Sequence, residues 1–379
     1  MSETSGHQLP MIPAAHPLIG EEEVEAVSAV LRSGMVAQGP QVEAFEEEFS
    51  REVVGGVQAV AVNSGTSALH LGLLAAGIGA GDEVIVPSFT FAATGNSVAL
   101  TGATPVFLDI EPDTFNLSPA AAAAEITERT RAIMPVHLYG HPFDAPAFQA
   151  LADERGLQLF EDAAQAHGAS LGGQKVGTFG TFAMFSLYPT KNMTSGEGGM
   201  VSCATDDVAR QVRLLRNQGM EKQYANEVIG FNTRMTDIHA AIGRVQLTKV
   251  GAWTEQRRAN AAFLDAGLAT VAGVVPPPVR EGAEHVYHQY TIRLDGASGD
   301  ERDAFVAALK AEHNVGSGVY YPIPNHRLAS LEKYAPGLDL PETERAAREV
   351  VSLPVHPSLT QADLERIVSA VAAVVKAGA

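Results

Sequence analysis

Between residues 57 and 161, short β-branched and aromatic runs alternate with stretches of helical periodicity. Strand candidates fall at 57–62, 83–86, 104–108, 132–136 and 157–161, and helices open at Thr66, cross 91–100 and open again near Ala145. Parallel strands cannot be joined by a tight turn, because each restarts from the same end of the sheet; a helix usually makes the return. Strands buried on both faces read as near-continuous apolar runs. The chain is therefore expected to build an α/β fold in which a mostly parallel, mixed sheet lies between helices. After Gly180 the helices thin out, and 182–187 and 200–203 read as closely spaced strands.

The flanks are different. Residues 1–19 read as an extended arm rich in Pro and His. A helix is expected over 21–32, with Val24, Val27, Val30 and Leu31 at helical spacing and Ser33-Gly34 as its stop. A second is expected over 41–53, with Val42, Phe45, Phe49 and Val53 on one face. From 236 to 269 the pattern is long and helical. Beyond it come a strand at 286–294, a helix at 300–312, a strand at 318–321 and a closing helix at 360–376. Thr360-Gln361-Ala362-Asp363 opens the last as a capping box with Asp for Glu. The expected division is residues 1–250, arm plus large domain, and 251–379, a smaller C-terminal α+β domain.

Charge and cysteine content exclude several functions. With a net charge of -18, clustered neutralisation of nucleic-acid phosphates is not expected, although one local pocket can still hold a small phosphate. Cys203 is the single cysteine, so no disulfide within the chain and no multi-cysteine metal site can form. No apolar run reaches the roughly 18 residues of a membrane span. The first residues lack the basic start and apolar centre of a signal peptide, so a cytoplasmic location is expected.

Three segments carry chemistry. In 185–199 an apolar strand runs into Ser186, then Lys191, then Gly196-Glu197-Gly198-Gly199. A lysine amine in apolar surroundings loses basicity and becomes a usable nucleophile. Asp162 ends the fifth strand candidate, where a carboxylate can face a ligand or cap the following turn. Asn63-Ser64-Gly65-Thr66 stands between a strand and a helix, a place that suits an anion or a plain N-cap. A lysine for a Schiff base, an acid for a pyridinium nitrogen and a serine for a phosphate are what pyridoxal phosphate (PLP) requires. Other patterns carry nothing. Gly77-Ile78-Gly79-Ala80-Gly81 follows a helix and precedes a strand, the reverse of a dinucleotide fingerprint. His137 and His141 are separated by Gly140, with Pro142 beyond, which breaks any helix aiming both at one metal, and no metal is expected.

Glu161-Asp162-Ala163-Ala164-Gln165, Ser186, Lys191 and Gly196-Glu197-Gly198-Gly199, in this order, resemble the sugar aminotransferases of the DegT/DnrJ/EryC1/StrS family, within the fold-type I PLP enzymes. The resemblance runs from Ile12 to Pro357. It implies that Gly65, Thr66 and Ser186 grip the phosphate, that Phe91 stacks on the ring and that Gln165 bonds its hydroxyl. Asp162 and Lys191 become the catalytic pair. Asn232 is implied to reach the neighbouring subunit's phosphate in a homodimer with shared sites, and Tyr321 and His326 to approach a nucleotide-sugar. Relatives with histidine in place of Lys191 are dehydrases, so the lysine implies transamination. The implied donor is glutamate and the implied acceptor a nucleotide-linked keto-deoxyhexose, with Glu197 pointing to the 4-keto position. A keto-cyclitol or 3-keto-sugar acceptor, or a PLP-holding regulatory protein without turnover, are the alternatives.

Overall fold

The structure, a computed structural model, describes residues 10–378. The first nine residues of the expected arm lie outside the described residues. Seven strands form the main sheet: β1 (Gln58–Val62), β2 (Glu83–Pro87), β3 (Thr104–Leu108), β4 (Thr130–Ile133), β5 (Gln158–Asp162), β6 (Phe182–Ser186) and β7 (Gly199–Cys203). Their order is β1-β7-β6-β5-β4-β2-β3. Only β7 runs antiparallel, against β1 on one side and β6 on the other. The remaining neighbours are parallel. The link 187–198 contains no helix, so β7 returns directly alongside β6.

The helices are α1 (Glu21–Ser33), α2 (Pro40–Glu52), α3 (Gly65–Ala75), α4 (Ala92–Leu100), α5 (Pro119–Ala124), α6 (Ala145–Arg155), α7 (Asp206–Arg216), α8 (Asp237–Leu268), α9 (Gly299–His313), α10 (Pro341–Glu349) and α11 (Gln361–Gly378). Side chains on a strand alternate between faces. In β6, Phe182 and Met184 join the core under α3 and α7, whereas Ala183 and Phe185 join Phe45 and Phe49 of α2 on the opposite face. Full burial of Phe45 and Phe49 contributes about 1.5–3 kcal/mol each. Gly72 allows α3 to lie this close, since a Cβ there would stand 2.4 Å from the Phe182 ring.

The chain beyond α8 adds a three-stranded antiparallel sheet, β8 (Val274–Val275), β9 (Tyr290–Leu294) and β10 (Val350–Leu353). It shares a separate core with α9 and α11. Helix α8 serves both cores: Leu247 and Val250 belong to the large one, Ala261, Leu264 and Leu268 to the small one. The expected division between residues 250 and 251 therefore falls inside an unbroken helix. Ile12 of the arm pairs with Val315 and is buried in the small core.

Three sequence expectations are corrected. The buried face of α1 is set by Glu23 and Val30, while Val24 and Leu31 are exposed. Glu23 is held there by Lys249 at 2.9 Å and Gln246 at 2.7 Å, so polar bonding turns the helix away from its apolar register. Residues 318–321 form one isolated bridge, Gly318 to Ser352, instead of a strand. The strand expected from Val286 begins only at Tyr290, because 286–289 bend toward the end of the main sheet: Val286 N donates to Gly140 O and Gln289 N to Tyr139 O.

Candidate active site

A cavity of about 560 Å³ opens where β5, β6 and the N-termini of α3 and α4 converge. This is the carboxyl edge of the parallel strands, the usual ligand position in open α/β sheets. Gly65, Thr66, Phe91, Asp162, Gln165 and Ser186 line it together with Lys191 and Tyr321. A larger groove of about 1050 Å³ lies between α2 and α8, where Arg244 is paired with Glu48.

Lys191 stands in the turn after β6. Its backbone N–H bonds Tyr188 O at 2.9 Å, and Leu187 is pinned by Gly198 O, Ser195 N and the Thr194 hydroxyl. The loop is thus closed on itself and holds the lysine at a fixed place. Burial lowers the Lys191 amine from its ordinary value to about 8, with nearby Asp162 acting in the opposite sense. Asp162 is buried, and burial raises its carboxyl above the ordinary range. The Thr94 hydroxyl at 2.7 Å and the Ala164 N–H at 3.2 Å oppose that rise, as does Lys191. Both readings of Asp162 hold at once: it caps the turn and still faces the cavity.

The opposite end of the cavity is built for an anion. Ser64 caps α3 by accepting from Ser67 N at 3.1 Å, which leaves the first N–H groups of the helix directed outward. A Cβ on Gly65 would lie 3.0 Å from Ser186 Cβ and 3.2 Å from its Oγ, so glycine brings backbone and hydroxyl together. Gln165 is fixed by its surroundings. Its Oε1 accepts from Tyr139 N at 2.6 Å, and its Nε2 donates to the Tyr321 hydroxyl at 3.1 Å. Phe91, the N-cap of α4, is 59% exposed, with its ring centroid 6.0 Å from that of Tyr321.

One residue expected at the cavity, His326, does not reach it, and Asn232, implied for the neighbouring subunit's site, does not line this one. His326 is buried, with Nδ1 2.6 Å from Ser88 Oγ and Nε2 3.1 Å from Glu344, so both ring nitrogens are engaged in holding the 325–327 turn. Asn232 is exposed, in a loop bridged to Asn217. Sequence reasoning missed Thr94, which no local pattern separates from an ordinary helix residue. It also missed His288, which lines the cavity from the small-core side. His137 and His141 diverge: the first bonds Glu161 at 3.1 Å, the second accepts from Arg280 N at 2.9 Å.

The residues present fit PLP. The cradle formed by Gly65 and Ser186 at a helix N-terminus suits a phosphate, and a buried carboxylate suits a cationic ring nitrogen. Fold and cavity together fit the PLP-dependent α/β enzymes. The chain belongs to the DegT/DnrJ/EryC1/StrS aminotransferase family, whose sequence pattern matches residues 17–372. It is 42% identical to a pleiotropic regulatory protein of Geobacillus stearothermophilus, over 93% of this chain and 94% of that one. It is 39% identical to the dTDP-3-amino-3,4,6-trideoxy-alpha-D-glucose transaminase of Streptomyces venezuelae, over 97% of each. Among solved structures, S. venezuelae DesV in complex with a ketimine intermediate superposes with a TM-score of 0.89 at 40% identity, over 94% of this chain and 95% of that one.

Proposed function

We propose that the protein moves the amino group of glutamate to a nucleotide-linked keto-deoxyhexose, with PLP as its cofactor. The observation that carries this reading is the joining of Lys191, Asp162 and the Gly65–Ser186 cradle in one cavity. When bound, PLP supplies an electron sink and a temporary carrier for the amine. Asp162 keeps a proton on the ring nitrogen. Lys191, whose amine loses its proton near pH 8, well below the ordinary lysine range, is the cofactor's attachment point and afterwards holds and moves a proton at Nζ. Gln165 presents Nε2 to the ring hydroxyl, Phe91 covers one ring face, and Ser186, Gly65 and Thr66 take the phosphate. Tyr321 meets the sugar side. Tyr224, Ile229 and Phe231, in the segment that leads to exposed Asn232, are exposed apolar residues, which supports a homodimer in which Asn232 completes the phosphate site of the other chain.

Glu197 favours a 4-keto acceptor; similarity to a transaminase named for a 3-amino sugar favours the 3-keto position. Similarity to a protein named as a regulator favours a second reading, PLP binding without turnover. The purified protein should convert one equivalent of glutamate per site to 2-oxoglutarate without any acceptor, and then aminate one member of a panel of nucleotide-linked 4-keto and 3-keto hexoses. No 2-oxoglutarate would select the regulatory reading. Among the described residues no helix is long and apolar enough to cross a membrane, and we place the reaction in the cytoplasm.

A further inference from the structure

Helix α4 begins at the cavity wall. Thr90 lines the cavity just before it, Phe91 is its N-cap, and Thr94 lies buried in its first turn. The Thr94 hydroxyl stands between two oxygens, Asp162 Oδ2 at 2.7 Å and Thr90 Oγ1 at 3.1 Å. A hydroxyl carries one hydrogen, and an ionised carboxylate only accepts. The hydrogen of Thr94 is therefore spent on Asp162, and toward Thr90 its oxygen can only accept. Thr90 must donate, so the bonds run in one direction, from Thr90 through Thr94 to Asp162. Each bond in such a chain strengthens the next. The frame is fixed by its surroundings: Asn325 Nδ2 donates to Thr90 O at 2.7 Å, and Thr94 N donates to Phe91 O at 3.2 Å. The other carboxylate oxygen, Oδ1, accepts from Ala164 N at 3.2 Å. The titratable groups acting on Asp162 are Lys191, His137 and Tyr321.

We propose that Thr94 is a positioning residue for Asp162: its hydroxyl, polarised by Thr90, withdraws basicity from the carboxylate, so that a proton shared with a ring nitrogen stays on the nitrogen. This deepens the reading of Asp162 as the partner of the PLP ring and rests on it. The need arises from burial. Away from water a carboxylate gains basicity and competes for the proton it is meant to leave on the ring. A hydrogen bond to the anion opposes that gain. The bond from Ala164 is a backbone bond within the turn itself, whereas the bond from Thr94 is a side-chain bond that one substitution removes.

The test compares Thr94→Val with Thr94→Ser. Val keeps the shape and loses the hydroxyl; Ser keeps the hydroxyl and loses the methyl. In the cofactor-free protein, carbon-13 spectra of labelled aspartate follow the Asp162 carboxyl, assigned by its loss in Asp162→Asn. Its pH midpoint should rise by about one unit or more in Val and stay near wild type in Ser, because the anion loses a hydrogen bond only in Val. Thr90→Val, one bond farther out, should move the midpoint the same way by less. In the loaded protein, PLP labelled with nitrogen-15 in the ring should show a protonated nitrogen at neutral pH in wild type and in Ser, and a signal moved toward the unprotonated value in Val. The kcat should fall roughly tenfold in Val, and Ser should restore most of it. A role confined to packing α4 predicts the reverse order, with Val mild, Ser damaging and the midpoint unmoved, and would overturn the proposal. If the Val variant does not fold, Thr94→Ala, which needs less room, gives the same reading, and an unmoved midpoint there overturns the proposal. A protonated ring nitrogen in the wild type, with neither signal moved in Val, removes this proposal alone; a bare ring nitrogen in the wild type removes the reading of Asp162 as well.

Discussion

At the scale of the residue, function is set by two groups held away from their ordinary ionisation. Burial disfavours the Lys191 ammonium, so its proton leaves at lower pH. In the cofactor-free protein, Lys191 should react with trinitrobenzenesulfonate with a midpoint near pH 8, where surface lysines are still protonated. A midpoint in the ordinary lysine range would remove the buried-amine argument. Lys191→Ala should reduce transamination on the order of 10³-fold while leaving the fold intact, checked by initial rates beside circular dichroism. For Asp162 the sign differs. Its folded pKa is raised, so the stability it contributes is full below the ordinary carboxylate range and is lost as pH rises through the folded value. At neutral pH the empty protein is therefore strained by this carboxylate. Asp162→Asn should leave the thermal midpoint of the cofactor-free protein unchanged or higher at pH 7, and should lower turnover about 10²-fold or more. A lower midpoint would mean that the bonds from Thr94 and Ala164 make the carboxylate a structural element first.

At the scale of the element, the site depends on how closely α3 approaches β6 and β7. A Cβ on Gly199 would stand 2.5 Å from Ser64 O, so only glycine lets the strand pass under the start of α3. Gly199→Ala should push the Ser64–Gly65 turn outward and weaken PLP binding roughly tenfold, with helix content retained; fluorescence titration measures this. Unchanged affinity would mean that the cradle does not depend on this contact. The sequence made the supporting elements readable where one rule governs them. The 42, 45, 49 and 53 spacing of α2 is buried throughout, and Thr360 and Asp363 cap each other at 3.0 and 3.2 Å before α11. Where two rules compete, the sequence misled. Helix α1 followed Glu23 and its bonds to α8 over the apolar spacing of Val24 and Leu31, because the partners of Glu23 come from residues more than two hundred positions away.

At the scale of the whole molecule, the decisive prediction is that sites are shared. Inactive Lys191→Ala chains mixed with PLP-weak Asn232→Ala chains should regain activity, because a mixed dimer contains one site with both lesions and one with neither. If subunit exchange is confirmed and activity does not return, each site is built within one chain and Asn232 has no cross-subunit role.

What the sequence by itself determined was the alternation that yields the parallel sheet, the strand ends at which Asp162 and Ser186 stand, and the loop that carries Lys191 beyond Ser186. These follow from local periodicity and from residue types that chemistry requires together. Tertiary structure alone decided that β7 runs antiparallel, that α8 joins two cores, that Thr94 bonds Asp162 and that His288 lines the cavity that Lys191 enters. The reason is distance along the chain. A side chain's partner is fixed by packing between elements far apart in sequence, and no periodicity within either element records it. His326 shows the same limit: its motif placed it beside the substrate, and the fold placed its ring between Ser88 and Glu344.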